Sequence, residues 1–367
     1  MTRNLILFFS VIMMSSHFTL FAETQAKVPS KIQKFIKKLE SKKDTLQGGA
    51  VAILYKDKVI YKATFGKQKG KFGRPITSKT LFPLASLSKS VSAVAIGLMV
   101  DKKAIDFEET FKLPYLQKAV NLRDIMSHST GYEFTGNRQI EKGFSRQKLL
   151  KTLGDQNPVC DPGECYFYSN MIYGLVEEAL NRKKLTLQSA IKQLQDVLKT
   201  KAIQVVPIDP QVEVAHPHLK EKNTIKPLPL PPYFPKAAPA SAGVFASLDG
   251  MIEFFKLSFG YKPHLISQET LETLFTPVVS NRDVYKWNLN WPCSREKIES
   301  YYGIGWRILK MSEYPGKDLI FHAGFLSGVT PFMGFIPSEE IGIIFLVNQQ
   351  SRLPFEMGID FWSAFLS

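Results

Sequence analysis

Phe82-Pro83-Leu84-Ala85-Ser86-Leu87-Ser88-Lys89-Ser90-Val91 is the stretch on which the reading of this chain turns. It runs into Ala93, Val94, Ala95, Ile96, Leu98, Met99 and Val100, a helical segment apolar on nearly every side and therefore buried. Residues three apart share a helix face, so the Ser86 hydroxyl and the Lys89 ammonium come within hydrogen-bond reach. An ammonium beside a buried helix is costly unless it finds polar partners or gives up its proton. The same Ser-x-x-Lys spacing recurs at Ser145/Lys148, Ser189/Lys192 and Ser294/Lys297, but those pairs sit among charged residues. On local grounds alone, Ser86 reads equally as a helix N-cap beside a lysine that snorkels to water.

Two later motifs supply the partners such a serine needs. Tyr168-Ser169-Asn170 stands just before the helical stretch Met171 to Leu180, and no other Tyr-x-Asn occurs in the chain. His322-Ala323-Gly324, the sole His-x-Gly, follows the strand-like run Asp318-Leu319-Ile320-Phe321. Taken singly, Tyr168 reads as a packing aromatic, Asn170 as a helix cap and His322 as a structural histidine. Their order and wide separation argue for one constellation.

With these motifs in place, the chain after Val28 resembles the serine β-lactamases and penicillin-binding DD-peptidases, in particular the class C-like branch with its esterases and D-stereospecific peptidases. The likeness extends to Leu122-Arg123-Asp124-Ile125-Met126-Ser127-His128-Ser129-Thr130-Gly131, to Pro162-Gly163, to Ala242-Gly243-Val244-Phe245-Ala246-Ser247 and to Tyr302-Gly303-Ile304-Gly305-Trp306. It implies acyl transfer through a Ser86 acyl-enzyme. Lys89 and Tyr168 then handle the proton, because no Gly-x-Ser-x-Gly offers a different nucleophile. A charged Lys89 would stabilise a Tyr168 phenolate; a neutral Lys89 would itself be the base. Asn170 is expected to bond both Lys89 and substrate, and the backbone N–H groups of Ser86 and Phe325 to form the oxyanion hole. Gly324 suits a strand that passes close to substrate. His322 is expected to orient Tyr168 or to meet the leaving group.

In the penicillin-recognising relatives a lysine that holds a substrate carboxylate usually stands where this chain has His322. A histidine is neutral for much of the time near its ordinary pKa of ~6.5. The resemblance therefore implies an ester or D-residue peptide as substrate, with β-lactamase or DD-carboxypeptidase activity as the alternative. A non-catalytic wall- or membrane-binding relative is the reading from a different class.

Patterning predicts an α+β fold. Ile32, Phe35, Ile36 and Leu39 mark a helix over Ser30 to Lys43, and Gly49 to Tyr55 with Val59 to Phe65 form a hairpin about Lys56-Asp57-Lys58. Leu81 to about Leu198 is mostly helical, and Thr224 to Pro239 reads as a long proline-rich loop. Strands return at Tyr302 to Leu309, Asp318 to Ala323, Thr330 to Ile336 and Ile341 to Val347, before a helix over Phe355 to Phe365. One antiparallel sheet built from both termini, flanked by terminal helices and joined to a helical insertion, accommodates this order. The sheet part is about 23–80 and 245–367, the helical part about 81–244, with the site in the cleft between them.

Met1 to Ala22, with Arg3 and an apolar run from Leu5 to Phe21, reads as a signal peptide, giving a secreted or periplasmic protein; an inner-membrane anchor is the alternative. Of the 3 cysteines, Cys160 and Cys165 bracket the turn Asp161-Pro162-Gly163-Glu164 and are expected to pair. No cofactor is expected, and the scattered 6 histidines offer no metal spacing. A formal charge of +14, part of it on Lys31, Lys34, Lys37, Lys38, Lys42 and Lys43, suits an anionic membrane or cell-wall surface. Nucleic acid is excluded as partner, since no recognition-fold signature accompanies the charge.

Overall fold

The structure, a computed structural model, describes residues 29–222 and 224–366. The expected signal peptide lies outside the described residues.

Strands β1 (Gly48–Tyr55) and β2 (Lys58–Gly66) form the expected hairpin. The central stretch adds β3 (Phe82–Pro83), β4 (Ile203–Val205), β5 (His218–Glu221), β6 (Thr224–Pro227) and β7 (Val244–Ala246). Then follow β8 (Val279–Asn281), β9 (Ile298–Tyr302), β10 (Arg307–Met311), β11 (Leu319–Ala323), β12 (Phe332–Ile336) and β13 (Ile341–Val347). The main sheet has 8 antiparallel strands in the order β2-β1-β13-β12-β11-β10-β9-β8, so that Gly49 faces Val347 across a seam between the two ends of the chain. This is the α+β architecture expected, with a sheet drawn from both termini.

Period-two alternation explains why the sheet is apolar on both sides. Val51 and Ile53 of β1 face the N-terminal helix Ser30–Lys43 and the C-terminal helix Leu353–Leu366, where Phe35 meets Phe361 edge-on at 5.1 Å and Lys38 bonds Asp360 at 2.7 Å. Ala50, Ala52 and Leu54 face the other way, into a second core shared with helix Ser88–Asp101 and helix Leu248–Ser258. The helix Ser88–Asp101 is buried on almost all sides, as its composition requires.

Two local expectations need correction, and one small sheet was not expected. Tyr302 to Leu309 is not one strand: Tyr302 ends β9, Arg307 opens β10, and the intervening Gly303-Ile304-Gly305-Trp306 doubles the chain back so that Arg307 pairs with Tyr302. Gly305 sits at φ +77, and a Cβ there would come within 2.6 Å of Ala93 Cβ and 2.8 Å of Lys89 O. The turn is thus pressed onto the helix that carries Lys89, and Ser90 Oγ donates to Gly305 O at 2.8 Å. Thr224 to Pro239 is not one long loop, because Thr224–Pro227 pairs with His218–Glu221 and the helix Phe234–Ala237 follows. Finally, a small sheet in the order β3-β7-β4 had no clear pattern in strands of 2 or 3 residues.

Candidate active site

Ser86 lies in the one-turn 3-10 helix Ala85–Leu87, fed by β3. The small sheet fixes this turn: Leu84 N donates to Val244 O at 2.9 Å, and Val244 N donates to Ser88 Oγ at 3.0 Å. Ala85 is held at φ +46, a left-handed conformation that costs a non-glycine residue about 1–3 kcal/mol. No side-chain hydrogen bond caps either this turn or helix Ser88–Asp101, so Ser86 is not an N-cap. Its hydroxyl is left for other work.

Lys89 is fully buried rather than snorkelling. Nζ stands 3.2 Å from Ser86 Oγ, 2.7 Å from Asn170 Oδ1 and 3.2 Å from the Ser241 carbonyl. Burial, with the Arg307 cation second, pushes its pKa well below the ordinary lysine value. A neutral amine has two N–H donors and one lone pair. In the neutral amine, Asn170 Oδ1 and Ser241 O take the two donors and the lone pair is left for the Ser86 hydroxyl; as an ammonium, Nζ donates to all three oxygens.

Tyr168 is brought to the same point by the turn ahead of helix Asn170–Tyr173. Ser169, not Asn170, is the cap: its Oγ accepts from Ile172 N at 3.0 Å and donates to Phe134 O at 2.7 Å. Burial raises the Tyr168 pKa, while the Arg307 cation and the nearby Ser86 hydroxyl oppose the rise. Lys89 Nζ lies 4.8 Å from the Tyr168 ring centre. Asn170 donates from Nδ2 to Asn137 Oδ1 at 3.0 Å, which leaves its second amide hydrogen unspent among the described residues.

His322 is differently engaged than expected. Nδ1 lies 2.8 Å from Ala323 O and Nε2 lies 2.8 Å from Tyr302 Oη, so the ring carries its proton on Nδ1 and accepts from the phenol. It does not bond Tyr168, whose ring centre is 6.5 Å away. Burial, then Arg307 and Lys89, hold its pKa well below the usual histidine value, so it is neutral. Gly324 touches the nucleophile turn: a Cβ there would meet Leu84 O at 2.5 Å and Ala85 Cβ at 3.0 Å. Phe325 beyond it is 63% exposed. Neither Ser86 N nor Phe325 N donates a hydrogen bond among the described residues.

Five further residues, Arg307, Asp283, Tyr302, His128 and Tyr166, had no site role from sequence. Arg307 lies with its guanidinium carbon 5.2 Å from the Tyr168 ring centre and is ion-paired with Asp283. Tyr302 anchors His322. His128, at φ +63, is buried with its ring centre 4.3 Å from that of Tyr168; its Nδ1 accepts from Ser169 N at 3.2 Å, and its Nε2 has no partner among the described residues. A lone arginine beside Trp306 and Ile308 at the head of a buried strand was the available signal for Arg307. Tyr166, two residues before Tyr168 and so on the same side of an extended segment, was the signal for the shell around Asp283.

Cys160 and Cys165 are joined in a disulfide, and Cys293 is free. The bridged loop lies against the segment that carries His128: Val159 N donates to Gly131 O at 2.8 Å and Gly163 N to Ser129 O at 2.7 Å. Among the described residues no group of three or more His, Cys, Asp or Glu is placed to hold a metal ion.

A family model described as Beta-lactamase matches residues 34–360. The chain belongs to the beta-lactamase family. Its membership brings the chemistry of serine hydrolases that work through an acyl-enzyme. This beta-lactamase-family chain is 24% identical over 333 residues to the Beta-lactamase of Escherichia coli (strain K12), covering 84% of this chain and 86% of that protein. It is 28% identical over 130 residues to penicillin-binding protein 4* of Bacillus subtilis (strain 168), a match that spans 32% of this chain and only 28% of the relative. The octameric penicillin-binding protein homologue from Pyrococcus abyssi has a similar fold, with a TM-score of 0.76 at 20% identity over 91% of this chain and 77% of that one.

Proposed function

We propose that this protein is an exported serine hydrolase that forms an acyl-enzyme on Ser86 from an ester or a D-residue peptide. The observation that carries this reading is the buried Lys89 Nζ, 3.2 Å from Ser86 Oγ and held by Asn170 Oδ1 and the Ser241 carbonyl; with those two oxygens taking the hydrogens of the neutral amine, its lone pair is free for the Ser86 proton. Lys89 takes the Ser86 proton as Oγ adds to the substrate carbonyl, and the Ser86 and Phe325 N–H groups receive the developing oxyanion. The alkoxide or amine leaves with the proton that Lys89 took, relayed through Tyr168, whose ring centre is 4.8 Å from Nζ. Water then adds to the acyl carbon, giving up its proton to the same amine, and Ser86 leaves.

The neutral state of His322 supports ester or peptide substrates over penicillins. A carboxylate beside Gly324 would meet an uncharged ring already bonded to Tyr302 and Ala323 O, and the Arg307 guanidinium is already held by Asp283. Hydrolysis of β-lactams or of D-alanyl peptides is the second reading, favoured by the match to an Escherichia coli Beta-lactamase over most of both chains. A panel of p-nitrophenyl esters, nitrocefin and D-alanyl peptides, with Ser86→Ala as control, tests both. Ester turnover that vanishes in Ser86→Ala is expected. Efficient nitrocefin turnover would reverse the ranking, and no turnover of any substrate would leave the non-catalytic binding reading.

Export is supported by the Cys160–Cys165 bridge, since such bonds persist in oxidising compartments. The charge of +14 favours attraction to anionic lipid or wall polymer. Among the described residues no helix is long and apolar enough to cross a membrane. Fractionation of cells, with thiol alkylation before and after reduction, tests the placement; recovery in the cytosol with free thiols would refute it.

A further inference from the structure

Arg307 opens β10 in register with Tyr302 of β9 on one side and Phe321 of β11, the neighbour of His322, on the other. Its guanidinium carbon lies 5.2 Å from the ring centre of Tyr168, 5.5 Å from that of Tyr302 and 4.9 Å from that of Trp287. Asp283, from the short helix Asp283–Lys286, binds the cation and is itself held by Tyr166 Oη at 3.1 Å and Lys286 Nζ at 3.0 Å. Only 13% of the arginine and 7% of the aspartate side chain remain exposed. A buried ion pair is a weak source of stability, because desolvation of both charges offsets most of their attraction. Its place against the Tyr168 ring calls for a different account.

We propose that Arg307, locked by Asp283, is a positioning residue for the Ser86–Lys89–Tyr168 cluster: it braces the Tyr168 ring, 5.2 Å from its guanidinium carbon, and sets a fixed positive charge behind the groups that handle the Ser86 proton. This rests on the acyl-transfer reading of the site. The arginine touches no reacting atom. It acts through the Tyr168 ring that it faces and through its charge behind the cluster.

Lys89 and Arg307 are the two cations against the Tyr168 ring among the described residues. From the helix turn of Lys89 comes Ser86; from the Tyr168 turn come Tyr168, Asn170 and Tyr173; from the Ser127–Gly131 segment comes His128. From the sheet come Tyr302, His322 and Arg307. Burial keeps His128 and His322 neutral and raises the phenols of Tyr168, Tyr173 and Tyr302. The carboxyl groups behind these are Asp283, beyond Arg307, and Glu177, which binds Ala240 N and Arg146. Arg307 is the second cause, after burial, of the lowered Lys89 value.

The test is the pH profile of kcat/KM for a p-nitrophenyl ester in the wild type, Arg307→Gln, Arg307→Lys and Asp283→Asn, each checked for folding by circular dichroism. Removing the cation makes Lys89 easier to protonate, so Arg307→Gln moves the acid limb to higher pH, with a loss of at least about tenfold at pH 6.5 that recovers in alkali. Asp283→Asn leaves the cation uncompensated and moves the limb to lower pH. Arg307→Lys keeps the limb near the wild-type position while lowering kcat, because an ammonium cannot brace the ring as a planar fork does. Opposite displacements in Arg307→Gln and Asp283→Asn are the expected signature. Losses uniform with pH, or displacements in the same direction, would overturn the proposal and leave a structural ion pair. If Arg307→Gln does not fold, the Arg307→Lys and Asp283→Asn profiles decide: a displaced limb in the first, or none in the second, overturns it. A fluorophosphonate probe that fails to label Ser86 in the wild type would instead refute the acyl-transfer reading itself.

Discussion

Lys89 Nζ lies 2.7 Å from Asn170 Oδ1, and the buried amine makes this contact with a neutral amide where a carboxylate would hold it as an ammonium. Among the described residues Lys89 forms no ion pair with Asp or Glu. The choice of amide over acid fixes the proton inventory of the whole cluster.

Replacing Asn170 by aspartate should reverse that choice. A carboxylate at hydrogen-bond distance favours the charged lysine, removing the base. Asn170→Asp is expected to fold, to lose about 10²–10³ in kcat/KM at pH 7, and to regain part of it in alkali. Steady-state ester kinetics from pH 6 to 10 read this out; wild-type activity at pH 7 would contradict it.

Lys89 also shapes stability. Its folded pKa is below the unfolded value, so between the two the unfolded chain binds the extra proton and stability rises with pH. Lys89→Met removes that slope. Inactive but more stable protein is expected at pH 7, by about 1–4 kcal/mol, with the gap closing as pH approaches ~10.5. Urea unfolding at pH 7 and pH 10 measures it.

At Gly324 a single methyl would fall 2.5 Å from Leu84 O and 2.7 Å from Pro331 Cγ. Gly324→Ala must push β11 away from the Ser86 turn, at a cost of about 1–3 kcal/mol. Ester turnover should fall further than stability explains, since Phe325 N moves with the strand. A thermal melt and kcat from one preparation compare the two.

Opening the Cys160–Cys165 bridge releases a loop that lies on the His128 segment. The double change Cys160→Ser/Cys165→Ser should lower stability by about 2 kcal/mol through the entropy of the short loop. Activity should fall only a few-fold, because Ser169 N and Tyr168 keep His128 in place. Loss of all activity in a folded double variant would assign the bridge a larger part.

Much of this was legible because the informative signals are short in range. The N-terminal helix Ser30–Lys43 and the β1–β2 hairpin follow from local periodicity, and β13 falls at the residues its apolar run marks. Ser86, Lys89, Tyr168 and Asn170 do come together, because each stands at or just before the start of a helix whose apolar pattern is plain. Arg307 and Asp283 were not legible, for their meaning lies in a contact across 24 residues that no spacing rule describes. The break within Tyr302 to Leu309 was hidden for a similar reason: Gly303 and Gly305 signal a bend only once the helix beneath them is known to press there. His322 does not bond Tyr168, because its partner Tyr302 is brought beside it by pairing through β10.

The seam at which Gly49 faces Val347 sets the timing of assembly. As the chain emerges in order, β1 has only β2 for company until nearly the whole polypeptide is available, and closing so long a loop is entropically slow. The hairpin must wait with a bare apolar edge, so late removal of the last strand, even by a nonsense codon after Ser338, would leave aggregation in place of a truncated enzyme.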